Sequence, residues 1–247
     1  MRLRTAAVNI TITMSTIMNT EEFRQENETG ILRLMQAFDS LFPVGAFTMS
    51  NGMETYTQKG LVCSKDTLCE FLRSYLYTMR TCDLGFAAKA ASGEDVMLLD
   101  EICTASKIPS ELREGSRKLC IRFIKAQKEI GVCKRIQDYS ELISDGICTG
   151  HYSVAAGLFI ADSGADIKTG LQMFCYSQLS AMVNHAVKLV PLRQNDGQTA
   201  LASVIEMIPD AISFALGIST DDLGISGTGF ELRSMQHEKL YSRIYIS

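Results

Sequence analysis

Three histidines, His151, His185 and His237, are the side chains in this chain best suited to proton transfer or metal binding. None belongs to an HxH or HExxH arrangement, so their spacing offers no metal site. His151 opens an apolar stretch and reads as a satisfied core or capping residue. His185 lies on a helical run before Lys188, with nothing at ligand spacing beside it. His237 is followed by Glu238, and one such pair on a mobile tail makes a poor site for a divalent ion. Glu141 and Asp145 lie four apart and can share a helix face, where solvation leaves them ordinary carboxylates.

Other chemistries are equally thin. No GxGxxG, GxxxxGK[ST] or GxSxG pattern occurs, so the chain carries no recognisable nucleotide site or nucleophile elbow. The eight cysteines show no CxxC pair and are expected to be buried, reduced thiols rather than a disulfide framework. An arginine can also act in trans, as the finger that accelerates a partner GTPase. Arg193 and Arg243 are of that type, although ion pairing or carbonyl capping is the ordinary work of arginine.

What stands out is the stretch from His237 to Ser247, where Arg243 is flanked by Tyr241 and Tyr245 among aliphatic residues. Tyrosine and arginine dominate binding hot spots, so this tail is suited to a partner or to docking back on its own domain.

The elements that position these groups read as helices. The 247 residues are 46% hydrophobic and 21% charged, ordinary for a globular protein with a sizeable core. The net charge of −4 argues against nucleic acid as the main partner. Polar residues from Asn9 to Thr16 interrupt any apolar leader core, and no run approaches a membrane span. Ile31, Leu34, Met35 and Phe38 mark a first amphipathic helix. Ser50 precedes a short second helix ending at Gly60, and Ser64 precedes the stripe Leu68, Phe71, Leu72, Tyr75, Leu76 and Met79. Further helices are expected over 86–91 and 96–102, and another opens at Pro109-Ser110.

The apolar run from His151 to Ala161 predicts a central buried helix. Residues 166–190 predict the longest helix, closed by Pro191. Gln194-Asn195-Asp196-Gly197 reads as a turn, and helix resumes over 199–216 with Pro209 kinking or splitting it. Gly224, Gly227 and Gly229 read as a flexible approach to the tail. The expectation is an all-α, single-domain array of about eight to ten helices. Residues 1–28 are expected to be a disordered extension, 29–223 the helical domain and 224–247 a flexible partner-binding tail.

Four segments carry a resemblance. The stretch Phe42-Pro43-Val44-Gly45-Ala46-Phe47-Thr48-Met49-Ser50-Asn51-Gly52-Met53-Glu54 resembles LPxGxFxxSxGLE, the N-terminal signature of the UreF family of urease accessory proteins. Residues 184–192 resemble the end of that family's long helix, and residues 194–198 its following loop. His237-Glu238-x-x-Tyr241-Ser242-Arg243 resembles its terminal HExxYSR motif. Met53 replaces a leucine, a volume-conserving change. Arg193 stands where the family carries glycine or a small polar residue, which removes it as a finger candidate.

The resemblance implies a cytoplasmic, non-enzymatic, homodimeric chaperone of nickel insertion. It binds UreD (also called UreH), recruits the nickel-carrying GTPase UreG and acts on apo-urease. Nickel and GTP belong to its partners, and neither a cofactor of its own, nucleic acid nor membrane is implied. Tyr241, Ser242 and Arg243 match the motif linked to UreD binding. Phe47 matches an aromatic UreD or UreG contact, and Lys188 a lysine linked to the GTPase or, alternatively, a solvated helix-end lysine. Glu54 matches the signature's acid, which pairs with a partner or braces its own helix. The alternative reading is a GTPase-activating protein with Arg243 as the finger.

Overall fold

The computed structural model describes residues 24–131 and 133–246. The described residues form twelve α-helices and no strand, so the all-α expectation stands but the helix count exceeds the expected eight to ten. In chain order they are α1 (24–37), α2 (Met53–Gln58), α3 (Lys65–Met79), α4 (Asp83–Ala91), α5 (Val96–Ser106) and α6 (Ser110–Ile130). Then come α7 (Lys134–Ser144), α8 (Tyr152–Asp162), α9 (Ile167–Leu189), α10 (Gln194–Ile205), α11 (Ile208–Gly217) and α12 (Thr228–His237).

The centre is α8, buried from Tyr152 to Ile160 as its all-round apolarity predicts. It packs closest on α4, whose Ala87, Ala88, Ala90 and Ala91 keep that helix thin. Gly157 is what lets the two backbones meet. A Cβ there would lie 2.2 Å from the Ala87 carbonyl oxygen and 2.8 Å from the Ala90 Cβ. Around this pair an aromatic cluster ties α1, α6, α8 and α9 together. Phe38 meets Phe174 at 5.5 Å, and Phe123 meets both Tyr152 and Phe159 at 5.5 Å between ring centroids.

A polar hub sets the entry to α8. Asp100, buried in α5, accepts from the Tyr139 hydroxyl (2.5 Å) and from the backbone N–H groups of Thr149 (2.7 Å) and Gly150 (2.9 Å). His151 caps α8 and is enclosed, with its ring nitrogens 2.8 Å from Thr104 Oγ1 and 3.2 Å from Ser116 Oγ. Burial, helped by the charge of Lys107, pulls its pKa down to about 4. It is thus the satisfied core histidine of the sequence reading.

Three departures from the sequence reading have local causes. Helix α7, not anticipated, buries only Ile136 and Tyr139, so its apolar stripe is too sparse to signal itself. Gln194-Asn195-Asp196-Gly197 is not a turn but the first turn of α10, where Asp196 accepts from the Arg193 backbone N–H at 3.2 Å and its guanidinium at 2.9 Å. The run over 199–216 is split, one of the two outcomes expected there: Pro209 sits in the first turn of α11, a position that needs no N–H donor, and the axis bends by 47° between α10 and α11. The glycine-rich stretch is not a loose linker throughout, since Gly227 caps α12 and Gly229 lies inside it.

Of the expected extension 1–28, residues 1–23 lie outside the described residues, while 24–28 belong to α1. Glu141 and Asp145 are exposed, as the solvated-face reading requires. All eight cysteines are free, and burial pushes the Cys103 and Cys175 thiols up to about 12, far from a reactive thiolate. No single helix among the described residues is long and apolar enough to cross a membrane.

Candidate functional site

The signature at 42–54 and the tail motif meet in space. Asn51 and Gly52 both adopt left-handed backbone (φ 49° and 81°), turning the chain into α2. A Cβ on Gly52 would lie 2.7 Å from Ser234 Oγ, so glycine here also lets α12 come close. Ser50 Oγ accepts from the Glu54 N–H at 3.4 Å. The signature therefore places Glu54 on the first turn of α2, aimed at α12.

Helix α12 is anchored by Phe230, which joins a second aromatic cluster with Tyr56, Phe71 and Tyr75 at 5.4–5.8 Å. Beyond it, residues 238–246 run back over α2 and α6 as a strap. The Glu54 carboxylate, 1% exposed, receives three bonds: from His237 Nε2 (3.0 Å), the Ile244 N–H (2.8 Å) and the Tyr245 N–H (3.1 Å). Glu111, on the first turn of α6, holds His237 Nδ1 at 2.6 Å with one oxygen and Arg243 Nη1 at 2.6 Å with the other. The Gln58 amide donates to the Ser242 carbonyl (2.9 Å), Ser110 donates to Glu238, and the Ile246 N–H donates to the Thr48 carbonyl (2.9 Å).

Tyr245 turns inward and meets the His185 ring edge to face at 4.6 Å. Burial lowers the His185 pKa to about 4, with Lys188 adding to the effect, and raises that of Tyr245, with Glu54 adding to it. His185 also lines a groove of about 500 Å³ together with Phe47, Tyr152, Tyr176, Asn184 and Lys188.

The structure brings Glu54, Ser242 and Arg243 into one latch and places Phe47 and Lys188 in the adjoining groove. Tyr241 belongs to neither and points fully into solvent. Phe47 is 66% exposed and Ile244 75%, so the seated strap and the turn at 46–48 present apolar side chains outward. Glu54 holds the end of α12 and the strap rather than its own helix. Of the segment expected as a flexible tail, 224–247, residues 228–237 form α12 and 238–246 lie as a strap on the domain, where Glu54 and Glu111 satisfy backbone and charged groups. The sequence reading missed Glu111, Gln58 and the inward role of Tyr245. For Glu111 the local signal was faint, an acid just after Pro109-Ser110 at a helix start.

Among the described residues no three His, Cys, Asp or Glu side chains are grouped to hold a metal ion. His237 has both ring nitrogens engaged by carboxylates.

The model of the UreF family matches residues 62–205 of the chain. A urease accessory protein UreF of Lachnoclostridium phytofermentans is 30% identical over 224 residues, covering 88% of this chain and 98% of the relative. The chain belongs to the UreF family. Other UreF relatives agree: that of Actinobacillus pleuropneumoniae serotype 5b is 34% identical, covering 87% of this chain and 97% of its own. That of Paenarthrobacter aurescens is 30% identical over the same shares. The family-model match reaches Lys188 but stops short of Phe47, Glu54 and the strap. In this UreF-family chain the latch is therefore read from geometry and from the terminal motifs.

Proposed function

We propose that this chain acts in urease maturation as a non-enzymatic scaffold. With UreD it recruits and modulates the GTPase UreG for nickel insertion into apo-urease, working as a homodimer. The observation that carries this reading is the latched strap, which spends its polar groups on its own domain, turns Tyr241, Ile244 and Ile246 outward and is tied at Ile246 to the turn that exposes Phe47. Aromatic and aliphatic side chains displayed on a fixed backbone suit a protein partner. The groove with Lys188 lies on the same side and suits a second one.

The test is co-expression with UreD and UreG followed by size exclusion with mass measurement. Deleting residues 237–247 should leave the helical body intact by circular dichroism and abolish UreD capture. Capture that persists would overturn the reading.

The finger alternative meets a geometric obstacle, because Glu111 already holds Arg243 at 2.6 Å. Arg243→Ala is expected to weaken assembly with UreD. A loss of roughly 1,000-fold in stimulated GTP hydrolysis with assembly intact would instead favour a finger.

A further inference from the structure

One face of the body belongs to neither the strap nor the groove. On α3, Arg73, Tyr77 and Arg80 follow one another at steps of four and three residues, which sets them in one row along the helix. Arg73 is exposed, and Tyr77 is 68% exposed although it is a large ring. Arg80, the residue that caps α3, is clasped between two rings. Its guanidinium carbon lies 3.8 Å from the centre of Tyr77 and 4.4 Å from that of Phe214 on α11, itself 44% exposed.

The two arginines lack acids. Among the described residues the one bond of the Arg80 side chain runs from Nε to the Tyr77 carbonyl (3.3 Å), and Arg73 forms no ion pair. Glu70 shares the helix but pairs with neither, and Asp83, just beyond the end of α3, is held by Lys107 at 2.8 Å. Elsewhere the chain matches its arginines: Arg117, Arg135, Arg193 and Arg243 each meet a carboxylate. A guanidinium stacked between rings is fixed in place while its terminal N–H groups keep their donors, so gripping a carboxylate costs it little further order. Exposed tyrosine and arginine side by side form the usual centre of a protein interface. A nucleic acid would need a broader basic face than two arginines on a chain of net charge −4.

We propose that the row Arg73, Tyr77 and Arg80, with Phe214, docks an acidic surface of a protein partner, and that this partner is apo-urease. The assignment rests on the scaffold reading above, which gives the strap and the groove to two partners and leaves the third without a place. None of the four residues lines the groove or hydrogen-bonds to the strap. The carboxylates of the partner supply the acceptors that α3 lacks, and Tyr77 and Phe214 give the contact its apolar area.

The test is a titration of apo-urease onto the immobilised complex of this chain with UreD and UreG. Arg80→Glu sets a like charge against the partner and should weaken apo-urease binding by about tenfold or more, with UreD and UreG still bound. Arg73→Glu disturbs no contact within the chain and should act in the same direction, which keeps the test decisive if the Arg80 variant misfolds. Wild-type binding should also weaken as salt rises from about 0.05 to about 0.5 M, and less so in either variant. Unchanged affinity in either folded variant overturns the proposal. So does loss of UreD or UreG in place of apo-urease, and so does a lowered Tm with affinity intact, which would make Arg80 a staple between α3 and α11. A wild-type complex that takes up no apo-urease counts against the scaffold reading itself, whereas uptake that ignores both substitutions sinks this docking face alone.

Discussion

Glu54 and His237, 183 residues apart in sequence, meet at 3.0 Å with both side chains shut away from solvent. One acid on a six-residue helix thereby fixes the ring that ends α12 and two backbone amides of the strap.

Replacing Glu54 by alanine removes all three bonds and leaves Glu111 alone against the ring. Loss of one partner from a buried charged cluster costs roughly 3–5 kcal/mol, here charged to strap seating rather than to the helical body. Tryptic cleavage after Lys239 and Arg243 should therefore accelerate while helical content holds. Unchanged cleavage would show that Tyr245 and the Thr48–Ile246 bond seat the strap without Glu54.

Gly157 tests the body itself. Even a methyl group there collides with the Ala87 carbonyl, a backbone atom that cannot swing aside. Gly157→Ala should cost about 1–3 kcal/mol through overpacking. For a chain of this size that lowers Tm by roughly 2–4 °C per kcal/mol. Calorimetry of the variant checks it, and an unchanged Tm would mean that α4 and α8 can slide apart freely.

His151 and His185 predict the response to acid. Burial holds both near a pKa of about 4 in the folded chain, while an unfolded histidine titrates at about 6.5. Between these values the unfolded state binds more protons. Stability contributed by the neutral rings is therefore whole above about pH 6.5 and falls as pH drops towards 4, by up to about 1.4 kcal/mol per unit for each ring. Urea unfolding at pH 5 and 7 should show the drop, and His151→Gln should remove about half of it, leaving the share of His185. An identical pH dependence in that variant would remove His151 from the account.

Much of the body was legible because its signals are local. The run from Tyr152 to Ile160 is apolar on every side, and Asp166 and Pro191 bracket the longest helix. The signature and terminal motif could likewise be picked out by residue type. What was not legible depended on partners far along the chain. Nothing near Glu111 says that His237 and Arg243 will come to it from 126 and 132 residues away. Gly227 and Gly229 argue locally for a loop, and it is Phe230, seated among Tyr56, Phe71 and Tyr75, that makes the segment worth folding as α12. Asp196 favours turns and helix starts alike, and only its bonds to Arg193 decide between them.

The close contact of α4 and α8 has a further meaning beside the strap. Alanine, glycine and aromatic surfaces join the body, and their exposure on unfolding carries a large heat-capacity change. The strap is joined mainly by charged and backbone groups, whose exposure carries little or the opposite sign. The two parts of the molecule thus answer to different variables. Heat reports on the body, whereas ionic strength bears on the strap, so a preparation with an unchanged melting curve can already have lost the surface proposed to bind a partner.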